Sequence, residues 1–135
     1  MAQSFKFELV SPERLLVSED VESVVVPGVD GDMTVMANHA PLMTSIRPGV
    51  VTVNTAAGKT DRYVIFGGFA DVMPESCTVL AEASVHVDNI DKADIERRIA
   101  EAREDLADAQ DDDGKQRAQE FLDQLTTLQG AILPA

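Results

Sequence analysis

The chain has one cysteine, Cys77, no tryptophan and one tyrosine, Tyr63. A lone cysteine excludes an intrachain disulfide and any zinc site built on paired thiolates. It suits a reducing compartment. Cys77 falls in the strand-like run Ser76 to Ala81 and reads as a small packed residue, not a nucleophile. With so few aromatics the core must be aliphatic, built from Val, Leu, Ile, Ala and Met. The two histidines, His39 and His86, stand far apart, and neither sits in an HExxH or related ligand spacing. Each reads as a polar or structural histidine, and no metal is expected. No apolar stretch approaches the ~20 residues that cross a bilayer, so a role at a membrane would require another protein to hold the chain there. The segment Met1 to Phe7 has neither a cationic region followed by an apolar run nor an Arg/Ser-rich character. The expectation is a protein without a secretory signal or transit segment.

Basic residues are also scarce: 11 against 24 acidic ones, for a net charge of -13 and a pI near 4.3. Such a surface repels nucleic-acid phosphates and anionic lipid head groups, so neither is an expected partner. Residues 88–135 hold 13 acidic and 6 basic side chains, which makes the C-terminal part the more densely charged. The 135 residues suffice for one ordinary domain, or a small domain with an appendage.

The hydrophobic period changes once, near residue 87. Before it lie short strand-like runs. Phe5, Phe7 and Leu9 alternate with Lys6 and Glu8; Val21 to Val26 is β-branched and closed by Pro27-Gly28; Val50 to Val53 follows Pro48-Gly49; Asp61 to Phe66 runs into Gly67-Gly68; Phe69 to Met73 ends at Pro74; Cys77 to Ala81 closes the series. Turn signals stand at Asp30-Gly31-Asp32, Asn38 to Pro41 and Ala57-Gly58-Lys59. Short strands between Gly and Pro punctuation predict an antiparallel sandwich or flattened barrel over 1–87. After it, Asp91 is placed to cap a helix, and Ile95, Ile99, Ala102, Leu106 and Ala109 form one stripe of period 3.6. Asp111 to Gly114 is read as the break. Ala118, Phe121, Leu122, Leu125 and Leu128 form a second stripe, with Gly130 and Pro134 as its stop. The prediction for 88–135 is a two-helix antiparallel hairpin. Helices this short are marginal alone in water, so the hairpin is the natural mobile element.

Chemistry-bearing motifs are missing. There is no P-loop, and Gly28-Val29-Asp30-Gly31 is too short and wrongly flanked for a dinucleotide fingerprint. Gly67-Gly68 lies between strands, where close backbone packing is the natural reading. No serine or threonine has a histidine in a recognisable elbow arrangement. Asp111 to Asp113 lacks the spaced ligands of an EF-hand. The residues themselves describe an acidic two-part β/α protein without a visible active site.

The middle of the chain carries more. Gly31-Asp32-Met33-Thr34-Val35-Met36-Ala37-Asn38-His39-Ala40-Pro41-Leu42, followed by Pro48-Gly49, resembles the signature of the ATP synthase epsilon-subunit family. Phe66-Gly67-Gly68-Phe69, Thr78 to Ala83 and Phe7 to Glu13 match further blocks in the same order. The resemblance implies a β-sandwich of about ten strands followed by two helices. It implies no enzyme activity of the chain's own. The implied role is a central-stalk, rotor subunit of the F-type ATP synthase, linking gamma to the ring of c subunits and coupling proton flow to ATP synthesis. The implied location is peripheral, at the cytoplasmic face of the bacterial inner membrane.

By the same resemblance, the Asp30 to Pro41 segment faces the ring, with Asp32 and His39 as its site residues. Gly31, Pro41, Pro48, Gly49, Gly67 and Gly68 are structural. The hairpin reaches the α/β catalytic head in relatives and brakes hydrolysis through basic residues of its second helix. Here that helix has Lys115 and Arg117 against Glu120 and Asp123, so the brake is expected to be weak. Some relatives hold ATP through Ile/Leu-Asp-x-x-Arg-Ala; the matching stretch, Ile90 to Ile95, has Asp94 at the arginine position. An anion there repels phosphate, so no nucleotide cofactor is expected. The competing readings are a free-standing regulatory module with a mobile hairpin, and a small hydrolase on a β scaffold. The first lacks converging charges, the second a nucleophile–base pair.

Overall fold

The computed structural model describes residues 3–132. The chain divides into two compact units, Met1–Asp88 and Asn89–Ala135. The first contains nine strands: β1 Phe5–Val10, β2 Leu15–Gly28, β3 Gly31–Met36, β4 Leu42–Ile46, β5 Gly49–Thr55, β6 Thr60–Ile65, β7 Gly68–Met73, β8 Ser76–Ala81 and β9 Ser84–His86. A 3-10 turn at Val87–Asn89 ends it. The second unit is α1, Lys92–Asp108, and α2, Asp112–Ile132, which pack against each other. A sandwich followed by two helices is therefore what forms. The described residues hold nine strands where the resemblance implies about ten.

The strands run β1-β8-β7-β4-β2-β5-β6-β9, with β3 added against β2 and β1 closing back onto β2. Most pairs are antiparallel, but β1 and β8 run parallel, Phe7 opposite Cys77 and Leu9 opposite Val79. A parallel pair needs a long crossover, here everything from β2 to β7. β2 makes the closure possible. Its first half pairs with β1, its second half with β3 and β5, and a register shift lies between Val21 and Ser23. The β-branched run therefore extends on both sides of Val21–Val26. Pro27-Gly28 does not end it, since Pro27 lies opposite Asp32 and its carbonyl accepts the Arg47 N–H at 3.0 Å. Proline cannot donate to a ladder, but this ladder position asks it only to accept.

Alternation decides the core. Phe5, Phe7 and Leu9 point in, as do Val21, Val24, Val26, Val35, Val51, Val53, Val72 and Val79, all buried. Burying a side chain such as Phe7 or Leu9 stabilises the fold by about 2–3 kcal/mol. Gly68 permits the layers to meet. Its φ of +143° lies in the region that favours glycine, and a Cβ there would collide with the Leu80 carbonyl. Gly49 is packed so that a Cβ would fall 2.7 Å from the Pro27 Cβ. Pro48 and Gly49 are both buried.

In the helical unit, the Asp91 side chain accepts the Ala93 N–H at 2.9 Å and caps α1. Ile95, Ile99 and Ala102 are buried and Leu106 half-buried. Ala109 lies at the cap, outside the helix. The break is shorter than the sequence suggested. Asp112, Asp113 and Gly114 already belong to α2, because Asp111 caps it by accepting the Gly114 N–H at 2.6 Å. Acidic residues in a first turn also suit the helix dipole. Gly130 does not stop α2, which continues to Ile132; Pro134 lies outside the described residues. Leu125 and Leu128 are buried, but Phe121 from the same predicted stripe is exposed, since it sits at the stripe's margin next to the half-buried Leu122.

Candidate interaction surface

Asp30 to Pro41 is not one loop. Val29 and Asp30 form a tight turn, Gly31–Met36 is strand β3, and 37–41 is a second turn. Asp32 and His39 therefore lie at opposite ends of β3, with ~13 Å of strand between Asp32 and Met36 alone. The structure does not bring them together. Turn chemistry hid the strand, because Met33-Thr34-Val35-Met36 is short, with Gly31-Asp32 before it and Asn38 after it.

Asp32 is exposed, and its Oδ1 accepts from Arg47 Nη2 at 2.7 Å. Arg47 also donates from Nη1 to the Gly28 carbonyl. That arginine, at the end of β4, was not singled out from the sequence; its place just before Pro48-Gly49 was the available signal. His39 is half-buried, and its Nδ1 lies 2.8 Å from the Ala40 carbonyl oxygen. Its turn is held by Asn38, which has a φ of 65°, donates its N–H to the Pro74 carbonyl at 2.8 Å and its side-chain amide to Gln3. Gly31 lies opposite Gly28 beside the tight turn, and Pro41 immediately precedes β4. Gly67 and Gly68 join β6 to β7.

The outer face of β4, β7, β8, β1 and β2 is the unexpected surface. Cross-strand neighbours share a face. Ser45 lies opposite Phe69, Phe69 opposite Leu80, Leu80 opposite Val10, and Val10 opposite Leu15. Phe69 is 51% exposed, Leu80 45% and Leu15 52%. Met43, 67% exposed, lies one row along, opposite Asp71, and that row continues through Thr78 to Glu8. An apolar row spanning four strands, flanked by two carboxylates, is a surface that a monomer would normally cover. The sequence carried the signal, since Phe69 and Leu80 fall on the outward parity of runs whose inward parity is Ala70, Val72, Val79 and Ala81.

Cys77 is buried, and burial first, with Asp71 second, pushes its thiol up to about 12, so it is not a thiolate. Burial raises Glu19, Asp61 raises it further, and Lys59 opposes them; its Oε1 is buried without a hydrogen-bond partner. Asp94 in the first turn of α1 takes hydrogen bonds from Arg97 and, at 3.1 Å, from Arg98. Partial burial pushes its carboxyl up, but those two arginines outweigh it and hold it below the ordinary range. Among the described residues no group of three His, Cys, Asp or Glu side chains is placed to hold a metal ion. No helix among them is long and apolar enough to cross a membrane.

Residues 4–87 match the family described as the ATP synthase delta/epsilon chain, beta-sandwich domain. The chain belongs to that family. It is 67% identical over 135 residues, all of both chains, to the ATP synthase epsilon chain of Mesorhizobium japonicum. It is 62% identical, again over the full length of both, to that of Brucella canis. Among solved structures it resembles a chain of the Euglena gracilis mitochondrial ATP synthase OSCP/F1/c-ring assembly. The TM-score is 0.73 at 25% identity, covering 95% of this chain and 81% of that one. A chain of the Tetrahymena thermophila mitochondrial ATP synthase central stalk/c-ring shares the fold with a TM-score of 0.63 at 13% identity, covering 93% and 96%.

Proposed function

We propose that the chain is a non-catalytic subunit of the ATP synthase central stalk, peripheral to the membrane at its cytoplasmic face, linking gamma to the c-ring and so coupling proton flow to ATP synthesis. The observation that carries the reading is the outer apolar row Phe69–Leu80–Val10–Leu15 with Met43, in a chain whose relatives are named ATP synthase epsilon chains. The Euglena assembly with a similar chain contains F1 and the c-ring by its own description, which supports the partners. Gamma covers the apolar row, and a basic side chain of gamma between Glu8 and Asp71 would fix its register. The ring is met at the Asp32 end of β3, while His39, bonded to its own turn, shapes that turn. The boundary near residues 87 and 88 separates a coupling sandwich from a hairpin that reaches the α/β head.

The test is binding of the full-length chain to an ATP synthase head containing gamma. Phe69→Glu and Leu80→Glu change exposed side chains, so the thermal midpoint should stay within a few degrees. Binding should weaken by at least about tenfold, the effect of losing one buried apolar anchor. Unchanged affinity in both folded variants would remove the outer face from the interface.

A further inference from the structure

His86 ends β9 directly opposite Tyr63 of β6, and the two rings meet edge-on, 5.1 Å apart at 88°. Its Nε2 lies 3.6 Å from Asp61 Oδ1, and its Nδ1 lies 3.6 Å from Asp88 Oδ2. Nδ1 also accepts the backbone N–H of Asp88 at 3.1 Å. A ring nitrogen that accepts carries no proton, so this bond requires the neutral tautomer with its hydrogen on Nε2, toward Asp61.

A proton taken from solvent at Nδ1 reverses that nitrogen's role. Two N–H groups then face each other across 3.1 Å, and the bond to the Asp88 amide cannot persist. Two carboxylates stand ready instead, one on each side of the ring. The groups facing this cluster are Asp61 and Tyr63 on β6, Arg62 and Thr60 at the mouth beside them, and Asp88 in the 3-10 turn. Asp61 and Lys59 in turn act in opposite directions on the Glu19 carboxyl of β2. The turn in question, Val87–Asn89, is where the chain passes from one compact unit to the other.

We propose that His86 is a protonation-operated clip on this turn. Neutral, it holds the Asp88 amide; protonated, it releases the amide and takes the Asp61 and Asp88 carboxylates. The backbone that leads into the hairpin therefore changes conformation with pH. The inference rests on the sandwich's own geometry and stands apart from the assignment of gamma and the ring.

The experiment is a pH titration of the isotopically labelled full-length chain by NMR between about pH 5 and 8, where imidazoles change charge. The Asp88 amide resonance should move with the same midpoint as the His86 ring. Its hydrogen exchange, corrected for intrinsic pH dependence, should be about fivefold faster in the protonated state, the factor for one ordinary hydrogen bond. His86→Gln keeps an acceptor for the amide but cannot titrate, so the Asp88 resonance should become flat over this range. An Asp88 amide that ignores the His86 midpoint, or that still moves in folded His86→Gln, overturns the proposal. If that variant does not fold, the comparison of midpoints in the unaltered chain decides alone.

Discussion

Arg47 reaches from the end of β4 to place Nη2 2.7 Å from Asp32 Oδ1, while its other terminal nitrogen donates to the Gly28 carbonyl. The acidic residue proposed to meet the ring is thus already paired within its own chain. Asp32 is well exposed, so the pair itself is weak. Its consequence is orientation: β3, β2 and the β4–β5 corner are tied at one end of the sandwich. Asp32→Ala should cost less than about 1 kcal/mol in chemical denaturation. Arg47→Ala, which also removes the bond to Gly28, should cost about 1–2 kcal/mol. A double-mutant cycle checks the geometry. Equal losses in the two single variants would mean that the Gly28 bond contributes nothing.

Gly130 lies inside α2 with no positive φ, and a Cβ built on it meets nothing within 4 Å. It has the conformational cost of glycine in a helix without a structural reason for one. Gly130→Ala should stabilise the hairpin by about 0.5–1 kcal/mol, seen as higher helical ellipticity and reduced exchange of amides in the last turns of α2. Asp91→Ala should do the reverse at the other end of the unit, costing about 1 kcal/mol by removing the cap of α1. No change in either would mean that the helices are held by packing alone.

The sandwich was legible wherever one face is buried, because alternation then shows in the sequence: Phe5, Phe7, Leu9, and Val51 with Val53. The strands it hid are β3, β4 and the three-residue β9. In β3 and β4 burial is lopsided, with Val35 and Ile46 the only buried side chains among them, and their ends are rich in Gly, Asn and Pro. The helix stripes were visible, but their ends were misplaced. Asp111 acts as a cap, not as a breaker, and a lone Gly130 is too weak to stop a helix already packed through Leu125 and Leu128. The Asp32–Arg47 pair and the His86 cluster were invisible for a different reason. Each joins residues from different strands, and only the register of β3, β6 and β9 brings them within reach.

The fold works against the Glu19 carboxylate. Burial and Asp61 raise its pKa, and Oε1 has no partner. A carboxyl with a raised folded pKa supports the fold fully only below its unfolded value, and that support is lost as pH rises through the folded one. Glu19→Gln should therefore raise the thermal midpoint at neutral pH. The gain should shrink as pH falls toward the ordinary carboxylate range, where the native side chain also becomes neutral. A gain independent of pH would point to packing as its source; a loss at neutral pH would mean that the charge is stabilising.

Asp94 shows the opposite sign, and it bears on nucleotide. Arg97 and Arg98 hold its pKa below the usual carboxylate range despite partial burial. Its contribution to α1 is therefore present above the ordinary carboxylate value and lost as pH falls through the lowered folded one. Asp94→Asn should lower the helical unit's stability at neutral pH and make no difference in strong acid. The same pairing sets the chemistry of the position. Where the resemblance implies an arginine for nucleotide binding, this chain places an anion that engages Arg97 directly, with Glu101 on the other side of that guanidinium at 3.0 Å. A phosphate approaching this turn meets two carboxylates beside a guanidinium that they already engage. Calorimetric titration of the full-length chain with ATP should show no sub-millimolar binding. Asp94→Arg, which removes one carboxylate and adds a cation, should bind measurably better than the unaltered chain. Sub-millimolar affinity in the unaltered chain would show that second-helix residues suffice to hold the nucleotide without the arginine.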